Sequence, residues 1–175
     1  MFGFNIDKRT LYIIIGVLVV ISLMSYGTSG IFSLILSIPA VLLAITVHEF
    51  GHAFAAYKLG DDTPVRQGRL SLNPFDHVDP LGLAMLLFAH IGWGKPVEID
   101  PRNYKADAIV SFAGPLMNFI TAIIFSLIYC AIIKFAGIAF TLTNVGTIVI
   151  AIILSIVTMN IGLGVFNLLP LPPLD

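Results

Sequence analysis

Apolar positions run in long blocks along this chain, without the strict alternation of a half-buried strand. After Lys8 and Arg9 no charged residue occurs from Thr10 to Val47. A bilayer is crossed in about 20 residues, so this run is long enough for two spans. The cluster Tyr26-Gly27-Thr28-Ser29-Gly30 supplies turn residues, and the pattern predicts a first helix over 10–26 and a second over 31–57. Pro39 falls inside the second and predicts a kink, tolerated where protein or a polar cavity covers the freed backbone. A basic start followed by an apolar run also suits a signal peptide. No small-x-small cleavage site follows it, and more apolar runs come later, so an uncleaved anchor is expected. A third apolar run covers 108–133 and ends at Lys134. A fourth covers 144–166, after a short connection over 134–143.

Between the second and third runs, residues 58–107 hold most of the charge. Asn73-Pro74, Asp79-Pro80 and Asp100-Pro101 punctuate them as loop. Within this stretch, 81–91 is apolar but too short to span, which fits a re-entrant or interfacial segment. The segment 92–97 then brings Trp93 and Lys95 to headgroup level. Segments around 68–72 and 93–99 are expected to be strand-like. After the fourth run, Pro170, Pro172 and Pro173 exclude regular helix from the tail. The two halves show no matching broken helices, which argues against a transporter. The expected fold is an all-α polytopic membrane protein with about four transmembrane helices. A re-entrant or strand-like segment lies between the second and third, and residues 1–175 form one domain.

Composition agrees. The 175 residues are 58% hydrophobic and 11% charged, where a soluble domain carries about 25% charge. The lipid bilayer is therefore the first partner. A net charge of −1 argues against nucleic acid. Cys130 is the lone cysteine and sits in an apolar run, so it reads as lipid-facing or packing, and any metal must be held by His and carboxylate. With four spans, Lys8, Arg9, Lys58, Arg66, Arg69, Lys95, Arg102 and Lys105 share one side and only Lys134 lies on the other. The positive-inside rule makes the basic side cytoplasmic.

The chemistry centres on His48-Glu49-Phe50-Gly51-His52, inside the second apolar run. It matches the H-E-x-x-H pattern, in which histidines four apart on a helix share a face and can bind one metal ion. Glu49 is rotated off that face and can reach a water held by the metal, the position of a general base. With only four histidines in the chain, a chance match is expected about once in a thousand such sequences. Two core histidines satisfied by hydrogen bonds could also fill these positions, but polar groups in an otherwise uncharged span are expensive. A catalytic zinc takes three protein ligands plus water. His77, Asp79, His90 and Asp175 are the candidates for the third. Asn118 and Asn167 each either satisfy neighbouring helices or stabilise an oxyanion. Asn160 reads as structural, and Asn167 is preferred as the oxyanion residue because it shares the tail motif with Asp175. Gly51, Ala53, Ala55 and Ala56 form a small-residue contact face.

The H-E-x-x-H motif is followed 115 residues later by Asn167-Leu168-Leu169-Pro170-Leu171-Pro172-Pro173-Leu174-Asp175. This pair resembles the site-2 protease family of intramembrane zinc metalloproteases, peptidase family M50, whose second motif reads N-x-x-P-x-P-x-L-D-G. Every position matches through Asp175, where the chain ends before the glycine, so a C-terminally truncated chain is expected. Gly114-Pro115-Leu116-Met117-Asn118 resembles the family's G-P-x-x-N element. The stretches Asn73-Pro74-Phe75-Asp76-His77-Val78-Asp79-Pro80-Leu81-Gly82 and Gly92-Trp93-Gly94-Lys95-Pro96-Val97 are similar to the compact prokaryotic branch without PDZ or CBS domains. The resemblance implies zinc held by His48, His52 and Asp175, with Glu49 activating water. It also implies that the substrate is a transmembrane segment of another protein, cut near its cytoplasmic end. A metal-ion transporter, or a membrane chaperone that binds helices without cutting them, would use the same histidine pair. Retention of Glu49 and of all three expected ligands favours the protease.

Overall fold

The computed structural model describes residues 8–79, 82–83, 94–95, 97–98 and 104–169. Its elements are helices: α1 (Lys8–Lys58), the one-turn α2 (Thr63–Arg66) and α3 (Pro74–His77), α4 (Tyr104–Thr141) and α5 (Asn144–Asn167). Three segments among the described residues are long and apolar enough to cross a membrane: Gly30–Lys58, Ala106–Thr141 and Asn144–Asn167.

The turn expected over 26–30 is not there. Those residues are helical, and α1 runs unbroken for 51 residues, through Pro39 as well. Two glycines in a helix cost about 1 kcal/mol each. Breaking the helix would free backbone N–H and C=O groups, at several kcal/mol apiece in lipid. Continuing the helix is the smaller penalty. The segment 10–26 is thus the first part of α1, and three described segments meet the length and composition of a span where four were expected.

The connection expected over 134–143 is mostly helix. α4 continues to Thr141 but breaks at Gly137, whose φ of 76° and ψ of 165° suit a residue without a side chain. Thr143 then caps α5, its hydroxyl accepting from Gly146 N at 3.0 Å.

Among the described residues the strand-like expectation reduces to one antiparallel bridge, Val78 with Gly94. Residues 68–72 are not strand because their backbone is committed elsewhere. Gly68 N donates to Val65 O, Arg69 N donates to Pro64 O, and the Ser71 carbonyl accepts from the His77 ring. The expected re-entrant stretch over 81–91 lies outside the described residues except for Gly82 and Leu83.

α1, α4 and α5 pack against one another in all three pairings. The core follows one face of α1 through Ala40, Val41, Ala44, Ile45, Ala53 and Ala56, met by Val110 and Ala122 of α4 and by Ile153 and Ile156 of α5. The opposite faces expose large apolar side chains such as Ile123, Leu127 and Val145, as lipid contact requires. Cys130 is on that exposed surface. The small-residue face does bring backbones together: a Cβ at Gly51 would lie 2.6 Å from the Ala113 carbonyl oxygen and 2.9 Å from Met117 Cγ.

Gly51→Val should therefore push α4 away and lower stability by about 1–3 kcal/mol, the usual cost of overpacking. Thermal unfolding in detergent measures it. An unchanged midpoint would show that the α1–α4 contact is looser than described.

Candidate metal centre

His48 and His52 lie one turn apart on the buried face of α1, 4% and 6% exposed. Their rings meet edge to face, with centroids 4.7 Å apart. Each Nδ1 is turned toward an oxygen of α4. His52 Nδ1 lies 2.8 Å from the Val110 carbonyl. A carbonyl only accepts, so this nitrogen carries the proton. His48 Nδ1 lies 2.6 Å from Asn118 Oδ1 and donates to it in the same way. In both neutral rings the lone pair is then on Nε2.

The two Nε2 atoms are 3.2 Å apart. Two lone pairs facing each other repel unless a cation, proton or metal, sits beside both. Metal–nitrogen bonds of about 2.05 Å drawn to nitrogens 3.2 Å apart subtend roughly 100°, close to the tetrahedral angle of zinc. The donor set is right in chemistry as well. Both nitrogens that face each other are imidazole Nε2, and both Nδ1–H groups are tied to oxygen acceptors, an arrangement that fits histidines able to hold a metal.

α4 reaches the imidazoles because it presents a glycine there. A Cβ at Gly114 would collide with His52 Nε2 and stand 3.0 Å from His48 Cε1. Glu49 follows His48 in sequence, is half-buried, and leans toward the loop: a Cβ at Gly94 would lie 3.0 Å from Glu49 Oε1. The general-base candidate thus sits beside the histidine pair, at the edge covered by Gly94.

Among the described residues no group of three His, Cys, Asp or Glu converges. His77 and Asp79 therefore do not join the histidine pair as third ligand. His90 and Asp175, the other two candidates, lie outside the described residues. Asn118 is not placed as an oxyanion donor, because its carboxamide oxygen accepts from His48 and its nitrogen donates to Ala44 O at 3.0 Å and Asn160 Oδ1 at 2.9 Å. Both amide protons are spent. Asn160, read as structural, is buried in this network. Asn167 donates to Leu163 O of its own helix at 3.1 Å. Sequence reasoning gave no part to the Val110 carbonyl, since a main-chain acceptor has no residue-type signature. Gly114 was visible only as part of the G-P-x-x-N element.

The sequence profile of Peptidase family M50 matches residues 36–175. The chain belongs to this family. Two curated relatives carry the name "Putative zinc metalloprotease": YwhC of Bacillus subtilis, 41% identical over 142 residues, and Rip2 of Mycolicibacterium smegmatis, 37% identical over 103 residues. The match to YwhC takes in 77% of this chain and 63% of that protein, and the match to Rip2 takes in 54% and 39%. The chain thus spans less than two thirds of the relatives' length. No solved structure gives a significant match.

His77 has a different role from the helix pair. It is wholly buried, its Nε2 donates to Ser71 O at 2.7 Å, and its own carbonyl accepts from Lys95 N at 2.7 Å. Its Nδ1 is buried with no hydrogen-bond partner among the described residues. Burial holds its pKa below the usual 6.5. The Ser71 hydrogen bond raises it, the Arg69 charge lowers it, and the Asp76 charge raises it. The unfolded chain then binds a proton more readily than the folded loop. The neutral ring's contribution is fully present above about pH 6.5 and is lost as pH falls toward the depressed folded value. Amide exchange in residues 71–78 should speed up between pH 7 and pH 5, after correction for intrinsic rates. His77→Gln, which carries no titrating ring, should abolish that dependence. A wild-type loop with equal protection at both pH values would contradict this account.

Proposed function

We propose that this chain is a zinc-dependent intramembrane endopeptidase that cuts transmembrane segments of other membrane proteins near the cytoplasmic face of the cell membrane. The observation that carries the reading is the pair of imidazoles with convergent Nε2 atoms, inside an apolar helix packing and directly beside a carboxylate. The relatives' names supply the metal. The tail motif and its family resemblance supply Asp175 as third ligand, which leaves one zinc position open for water and substrate. Asn167 is the oxyanion candidate by the same resemblance.

Bound zinc would polarise the scissile carbonyl and bring the pKa of water to about 7. The chain's own groups do the rest. Val110 O and Asn118 hold the two imidazoles in their ligating tautomer. Glu49 takes the proton of the attacking water and hands it to the leaving amide nitrogen. A helical substrate hides its amide bonds, so it unwinds locally before cleavage.

The re-entrant reading of the loop is supported by depth. Val78 and Leu83 pack with Val41 and Ile45, residues 13 to 17 positions before the end of α1, or about 20–25 Å along its axis. The cytoplasmic orientation keeps its sign when α1 is counted as a single crossing. Lys58, Arg66, Arg69, Lys95, Arg102 and Lys105 then oppose Lys8, Arg9 and Lys134, six against three.

Glu49→Gln should retain zinc, measured by metal analysis of the purified protein. It should also cut a transmembrane substrate in proteoliposomes at least about 100-fold more slowly. Cleavage at the wild-type rate by the zinc-loaded variant would sink the mechanism. Asp175→Ala should lose most of its zinc on dialysis against a weak chelator. A full zinc complement in that variant would point to His90, or another residue outside those described, as third ligand.

A further inference from the structure

We propose that Asn118, held in place by Asn160, is a positioning residue: it decides which ring nitrogen of His48 carries the lone pair offered to metal. The inference rests on reading the histidine pair as a metal centre.

The two ends of a carboxamide are nearly isosteric but opposite in hydrogen bonding. If the Asn118 amide were reversed, its NH2 would face His48 Nδ1. That nitrogen would then have to accept, and the ring proton would move to Nε2, where it blocks the metal position. What forbids the reversal is on the other side of the amide. Asn118 Nδ2 faces two acceptors, Ala44 O at 3.0 Å and Asn160 Oδ1 at 2.9 Å. A reversed Asn118 would set its oxygen against both. Asn160 in turn cannot reverse without loss, because its Nδ2 donates to the Ile156 carbonyl at 2.8 Å. Orientation is therefore passed from a main-chain carbonyl of α5, through two side chains that are each 0% exposed, to the imidazole on α1. Main-chain oxygens cannot change from acceptor to donor, so the relay has one polarity, and that polarity leaves His48 Nε2 unprotonated. His52 needs no relay, since the Val110 carbonyl touches it directly.

The test is zinc affinity by chelator competition on the detergent-purified chain, with Asn118→Leu and Asn118→Asp compared. Leucine matches the volume and removes the acceptor, so zinc should bind 10–100-fold more weakly, the usual loss for an outer-shell partner of a metal-binding histidine. Aspartate keeps an acceptor for His48 Nδ1–H but loses both donations, to Ala44 O and Asn160. A positioning role predicts zinc affinity within about threefold of wild type or tighter, since carboxylate–histidine–zinc triads are effective. A purely structural role predicts that aspartate, with oxygen now facing oxygen, suffers as much as leucine. Leucine within threefold of wild type, or aspartate as weak as leucine, overturns the proposal. If Asn118→Leu does not purify as a single folded species, Asn160→Leu replaces it: weaker zinc binding supports the relay and unchanged binding overturns it. Histidine 15N spectra of metal-free protein give a second readout, with His48 protonated at Nδ1 in wild type and not in the leucine variant. A wild-type chain that binds no zinc overturns the metal reading, and this inference with it. A wild-type chain that binds zinc as tightly as Asn118→Leu overturns the inference alone.

Discussion

An imidazole buried in an apolar helix packing must place its N–H on an acceptor, and two such requirements set how closely α4 lies on α1. Val110 and Asn118 are eight residues apart, a little over two turns of α4, and they bracket the pair His48 and His52. The helices can approach only where neither carries bulk. Gly51 admits the Ala113 carbonyl and Gly114 admits the imidazoles themselves, so these glycines on opposite helices make one contact. Leaving a polar group unsatisfied in such a place costs several kcal/mol, more than the glycines' helix penalty of about 1 kcal/mol each. The hydrogen bonds are thus the reason that the helices tolerate glycine there.

α5 completes the same constraint from the other side. Asn118 would have an unspent amide proton without Asn160, and the Asn160 amide would lose its donation without Ile156 O. The remaining buried hydroxyls are quieter. Thr46 and Thr121 donate to Leu42 O and Met117 O one turn back on their own helices, which satisfies them and commits nothing between helices. The asparagine relay ties all three long helices to one another through polar groups. It lies at the level of the histidines.

The parts of the structure that follow from local periodicity were legible in the sequence. The helix around His48 and His52, the off-face position of Glu49, the small-residue face at Gly51 and the start of α5 near Asn144 all follow from spacing or from the extent of an apolar run. The turn at 26–30 misled because glycine and serine mark turns in water, whereas in an apolar run an unbroken backbone ladder outweighs them. The role of Asn118 was illegible for a different reason. A buried asparagine can donate, accept or do both, and which it does is set by neighbours 42 to 74 residues away. His77 looked like a metal candidate by residue type alone. Its ring is instead folded into the loop that carries it, through a contact six residues back in the chain that no motif marks.

Depth decides how water could meet this site. Six and ten residues separate His52 and His48 from Lys58, about 9 Å and 15 Å along α1, against a hydrocarbon thickness of about 30 Å. On the α4 and α5 sides the imidazoles are sealed by Gly114, Val110 and the asparagine relay, where each hydrogen bond is already made. The side that differs is the one toward the loop. There Glu49 is half-buried where the histidines are buried, and its carboxylate is covered by Gly94, which adds no side chain of its own. In the proposed reaction, water then arrives past the group that must deprotonate it, and the sealed side keeps the ligating nitrogens dry. Val78 packs on Ile45, and Gly94 lies against both Ile45 and Glu49, so loop residues meet α1 beside the general-base candidate. On the proposed reading, that contact puts protein rather than lipid where water must enter.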